Sequence, residues 1–141
     1  MKTWVLVMAA VIGSLAAVGC TASAEPTKSI DVSMDDVLGH KVITRDITLA
    51  AGDILRVRVG ANHTTPYRWT GDAQIGDPGI VQQTAHEFVA PNPPPGMVGT
   101  PGAELWTFKA LKAGATTIAT NYTMPANPTP ACTFTANVTV Q

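Results

Sequence analysis

Ile54-Leu55-Arg56-Val57-Arg58-Val59-Gly60-Ala61-Asn62-His63-Thr64-Thr65-Pro66-Tyr67-Arg68-Trp69 is the stretch that decides the fold class. Leu55, Val57 and Val59 alternate with Arg56 and Arg58, and a period of two puts the two sets on opposite faces of an extended chain. One apolar and one charged face describe a half-buried antiparallel strand. Asn62 to Pro66 interrupts the run, since Asn, Pro and threonine hydroxyls either fix φ or bond their own backbone. Tyr67 and Trp69 then share a face in a short second strand. A loop tip held between two strands is presented rigidly, and binding residues concentrate in such places.

The same period recurs on both sides of this stretch. Ile43 to Leu49 reads as a first strand, ended by the turn Ala51-Gly52-Asp53. Thr70 to Gly79 reads as loop, followed by two short strands over 80–83 and 86–89. Pro91-Asn92-Pro93-Pro94-Pro95-Gly96 has neither a helical nor a ladder option and reads as a stiff extended spacer. Leu105 to Leu111, Thr116 to Tyr122 and Thr133 to Val140 complete the set, with Phe134, Ala136, Val138 and Val140 alternating against Thr and Asn. No window after the N-terminal region shows a 3.6-residue period. Seven to eight short strands separated by turns predict an all-β sandwich with no helix longer than about two turns.

The chain has 141 residues. Residues 1–19 read as an export signal: Lys2 supplies a positive start, and Trp4 to Gly19 is apolar or small and too short to span a membrane. Two processing sites compete there. Ala16-Ala17-Val18-Gly19-Cys20 has the form of a bacterial lipobox, with Cys20 diacylated; Ala22-Ser23-Ala24 is a site for ordinary cleavage. A lone cysteine directly after the apolar run favours the lipoprotein. Residues 20–42 read as a tether and polar lead-in, with Asp35 and Asp36 solvated, and 43–141 as the sandwich domain. The expected location is the cell envelope, anchored on the extracytoplasmic side, with a secreted form as the alternative.

A formal net charge of −1 and the absence of a basic patch argue against nucleic acid as a partner. His40, His63 and His86 are too scattered for a metal site, no cofactor motif occurs, and no small-molecule substrate is implied. No nucleophile elbow or hydrolase triad can be assembled from the few serines. Cys132 reads as a thiol near a strand start rather than a nucleophile. With catalytic groups missing, the expectation is binding and not an enzyme.

The segment Asn62-His63-Thr64-Thr65-Pro66, followed by Tyr67-Arg68-Trp69, pairs with a second about forty residues later, Gly99-Thr100-Pro101-Gly102. A third, Met124-Pro125-Ala126, follows the strand Thr117-Ile118-Ala119-Thr120-Asn121-Tyr122. In order and spacing, from about Asp46 to Gln141, these resemble the three binding loops of the chagasin-type inhibitors of papain-like cysteine proteases. Those loops carry Asn-Pro-Thr-Thr-Gly, Gly-x-Gly-Gly and Arg-Pro-Trp.

The resemblance implies an immunoglobulin-like sandwich whose loops block a protease cleft. Thr64 and Thr65 would sit at the cleft centre, with Gly99 to Gly102 and Met124 to Ala126 flanking it. Pro66 stands where the family has glycine, and Met124 and Ala126 where it has Arg and Trp. A rival reading keeps the sandwich as a non-inhibitory envelope binding module, with Trp69, Trp106 or the proline segment as its exposed anchors.

Overall fold

The computed structural model describes residues 26–93 and 95–141. The signal segment, Cys20 and the Ala22-Ser23-Ala24 site lie outside the described residues. Among the described residues, nine strands and one short helix follow in order: β1 (Thr27–Val32), α1 (Met34–Gly39), β2 (Val42–Leu49), β3 (Ile54–Ala61), β4 (Arg68–Trp69), β5 (Gln74–Ile75), β6 (Val81–Val89), β7 (Gly102–Ala110), β8 (Gly114–Met124) and β9 (Asn127–Val140). One sheet runs β1-β3-β7-β6; the other runs β2-β9-β8-β4, with β5 also on β8.

The alternation of Leu55, Val57 and Val59 becomes the inner face of β3, fully buried against the facing sheet. Trp106 and Phe108 fill the neighbouring face of β7, and Ile118, Tyr122, Phe134, Ala136 and Val138 close the core from β8 and β9. The architecture is the predicted all-β sandwich, and its one described helix is six residues long.

Three local expectations change. Residues 27–39, read as tether and lead-in, are part of the fold. Ile30 and Val32 are buried as β1 pairs in parallel with β3, from Thr27↔Ile54 to Val32↔Val59. Ser33 caps α1 by accepting from the Asp36 amide at 3.1 Å, and Asp35 and Asp36 lie in its first turn, where the helix dipole favours acids. Gly60 makes room for this helix, because a Cβ there would run into the Met34 backbone.

Second, the two strands expected over 80–89 are one, β6, with a bulge between Gln83 and Ala85. The extra residue shifts the phase of the alternation, which is why the sequence reads as two pieces. Third, Trp69 and Trp106 are not exposed anchors. Both are buried, their rings packed edge to face at 6.3 Å, and each indole N–H donates to a carbonyl, Gly60 O and Gly71 O, at 2.9 Å.

Candidate functional site

β3 ends at Ala61, β7 begins at Gly102, and these two residues pair directly. β8 runs antiparallel to β4 with Thr123 opposite Arg68, so its C-terminal hairpin reaches the same pole. The sheets therefore bring together all three segments singled out in the sequence: 62–66, 99–102 and 124–126.

Asn62 is the hub. Its Oδ1 accepts from the Thr64 amide at 3.1 Å and the Thr64 hydroxyl at 2.6 Å, while its carbonyl accepts from the Thr65 amide and hydroxyl. Its Nδ2 donates to Gly99 O at 3.1 Å, tying the first segment to the second. Its own amide donates to the Tyr122 hydroxyl at 3.3 Å, tying it to the strand that carries the third. The Arg68 guanidinium closes the loop from outside, donating to Thr65 O, Tyr67 O and His63 O. No residue other than glycine has a positive φ among those described, so Pro66 sits in an extended path with no left-handed turn before it.

Thr64 is exposed at the tip and Thr65 half-buried, with its hydroxyl turned inward to Asn62 O at 2.7 Å. Both hydroxyls serve the turn. The exposed residues of this loop are Thr64 and Pro66.

The second segment divides in two. Gly99 is exposed with φ +74, a conformation that L side chains rarely adopt, and it faces Thr64. Gly102 already belongs to β7. A Cβ there would strike the Val89 carbonyl and come within 2.8 Å of the Phe88 ring, so this glycine serves the molecule's own packing. Met97 and Val98 project beside Gly99, Val98 94% exposed. Thr100 and Pro101 complete the segment, Thr100 half-buried and Pro101 exposed.

The third segment is a tight hairpin with Met124 opposite Asn127, leaving Pro125 and Ala126 exposed at its turn. Asn127 Oδ1 accepts from the Thr129 amide at 3.1 Å, the one side-chain bond near the turn among the described residues.

Sequence reasoning missed Glu104, His86, Phe88 and Arg68. Glu104 is 3% exposed and accepts at 2.7 Å from Nε2 of both His63 and His86. The His63 ring also stacks on Phe88 at 3.6 Å. Scattered in sequence, two of the three histidines converge in the fold on one carboxylate. Among the described residues no group of three or more His, Cys, Asp or Glu is arranged to hold a metal ion. An apolar pocket of about 350 Å³ opens between α1 and the first loop, lined by Met34, Val37, Leu38, Thr65, Tyr67 and Tyr122 among others. Cys132 lies in β9 opposite Tyr122, fully buried, and burial pushes its thiol pKa up. A neutral, enclosed thiol has no nucleophilic role.

The family model described as chagasin family peptidase inhibitor I42 matches residues 48–140. Among solved structures, a cysteine protease inhibitor from Entamoeba histolytica, EhICP2, is 22% identical with a TM-score of 0.59, covering 82% of this chain and 97% of that chain. PbICP-C, solved in complex with falcipain-2, is 23% identical with a TM-score of 0.59, covering 81% and 99%. The solution structure of Amebosin is 28% identical with a TM-score of 0.52, covering 72% and 98%. No curated protein matches the chain.

Proposed function

The chain belongs to the chagasin family of peptidase inhibitors, and on that premise we propose that it inhibits papain-like cysteine proteases by filling their cleft with the loops at one pole. The observation that supports this most is the Asn62 hub. It holds the first loop in a fixed turn and joins it to Gly99 and Tyr122. A loop ordered before binding loses little conformational entropy on entering a cleft. Its tip is small and offers main-chain groups, so the backbone can lie close to a catalytic thiol. The inward hydroxyl of Thr65 and the extended Pro66 keep that backbone on one path. The reading is a binder, not an enzyme.

Export and lipid anchoring at Cys20 belong to the same proposal. Pro26 lies at the far pole, its carbonyl accepting from the Ile54 amide at 2.9 Å. Eight-residue β3 separates that pole from the loops by roughly 25 Å. A chain anchored upstream of Pro26 would carry its loops on the side away from the membrane.

The rival reading, a non-inhibitory envelope module, draws on the third hairpin, where Met124 and Ala126 stand in place of Arg and Trp. The two are separated by active-site protection. Papain mixed with the protein should resist alkylation of its catalytic cysteine, and full alkylation at saturating protein would leave the rival. For the anchor, Cys20→Ala should move the protein from the membrane to the soluble fraction; an unchanged distribution would remove the lipid from the account.

A further inference from the structure

Glu104 stands out on β7, where the residues of the same inward parity, Trp106 and Phe108, are apolar and buried. Removing a carboxylate from water is costly unless it is paired and hydrogen-bonded. Asp53, the other buried acid among the described residues, has a local reason: its Oδ2 accepts from the Ala50 amide in the β2–β3 turn. Glu104 has no turn to serve. Its two oxygens go instead to two imidazoles from different parts of the chain, His63 in the first loop and His86 on β6, each at 2.7 Å.

Each Glu104 oxygen thus has one imidazole Nε2 at hydrogen-bond distance, the arrangement in which a carboxylate accepts from two Nε2–H donors. The His63 ring is fixed twice over, by this bond and by stacking on Phe88 with planes 11° apart. Phe88 is also the side chain that Gly102 closely approaches at the base of the second loop.

We infer that Glu104 is a positioning residue for inhibition: through His63 it sets the first loop against the base of the second, while His86 holds its other oxygen. The inference rests on the inhibitor reading above. It assigns the cost of a buried acid to the orientation of the loop tip, and it predicts energetic coupling between two residues 41 positions apart.

A double-mutant cycle on papain inhibition tests it, with Glu104→Gln and His63→Phe made in the full chain. The Phe keeps the stack on Phe88 and loses only the Nε2 donor. Each single change should weaken inhibition about tenfold, and the double variant should be no weaker than either single, because both remove one shared interaction. His86→Phe should lower thermal stability while changing inhibition less than about threefold. In proton NMR, a slowly exchanging His63 Nε2–H resonance should be present in the wild type and absent from Glu104→Gln, with amide shifts over residues 62–68.

Additive losses in the cycle, or unchanged inhibition in either single variant, would overturn the inference. Should Glu104→Gln not fold, His63→Phe carries the test alone through its inhibition and the same amide shifts. If the wild type does not inhibit, the functional reading has failed instead, and the NMR comparison still decides whether Glu104 orders the loop.

Discussion

The first loop and the third hairpin lie side by side, yet they are built in opposite ways. Residues 62–66 are fixed by side chains: the Asn62 amide group, the Thr65 hydroxyl and the Arg68 guanidinium bind parts of the turn, and the His63 ring ties it to Glu104 on β7. The third hairpin is fixed by its ladder, Met124 opposite Asn127, and puts forward only Pro125 and Ala126. One region has invested in a single conformation, while the other offers an ordered platform with little on it. Binding energy usually concentrates in a few large anchors. On the inhibitor reading, binding would depend on preorganisation in the first two loops, where Arg and Trp in the third would add contact area.

The largest effect should come from the tip. Thr64→Arg places a long charged side chain where the cleft centre would be, on a residue that is exposed in the free protein. Inhibition should fall more than about a hundredfold through clash and desolvation, with only a small drop in melting temperature from the lost Thr64 hydroxyl bond to Asn62. A Thr64→Arg variant that still inhibits would mean that the first loop is not at the cleft centre.

Next comes the hub. Asn62→Ala removes two bonds to Thr64 and the bond to Gly99 O. At about 0.5–1 kcal/mol net for each, roughly 1.5–3 kcal/mol in all, inhibition should weaken by roughly ten- to 150-fold, with a loss of stability. A change of less than twofold would show that the turn does not need its side-chain bonds.

The third hairpin should respond in the other direction. Met124→Arg with Ala126→Trp should strengthen inhibition about tenfold, equivalent to ~1.4 kcal/mol, by adding two anchors to an already ordered hairpin. No gain would mean that the hairpin does not reach the protease, and the contrast between the regions would lose its functional meaning.

The smallest effect concerns Cys132, directly below the hairpin. Burial raises its pKa, so the neutral thiol is favoured in the folded state and reactivity appears only when the strand opens or the pH is well above the usual thiol range. Iodoacetamide at pH 8 should label it slowly in the native protein and completely in guanidinium, with no change in inhibition beforehand. Fast native labelling would show that the β8–β9 hairpin frays and is no platform.

How much of this was legible depended on whether a signal was local. Leu55, Val57 and Val59, and later Phe134 to Val140, declare their strands because alternation is carried by adjacent residues. The three loop segments could be located because turn residues interrupt such runs. Residues 27–39 were misread since Ile30 and Val32 are only two apolar positions in a polar segment, and their burial depends on the parallel partner β3. The bulge in β6 hid one strand behind a change of phase. The roles of the glycines at 99 and 102 looked alike in sequence and separate only when Val89 and Phe88 are seen against Gly102. Least legible was the convergence of His63, His86 and Glu104. It follows from register, with Glu104 opposite Val59 on one side and Phe88 on the other, and no spacing rule encodes that.

The central claim is that a preorganised first loop makes this sandwich an inhibitor despite its bare third hairpin. The most direct measurement is titration of papain activity with the purified protein, wild type beside Thr64→Arg. The account predicts reversible, saturable inhibition by the wild type at micromolar concentration or below, and none by the variant. Full papain activity at several hundred micromolar wild-type protein, or equal inhibition by both, would contradict it.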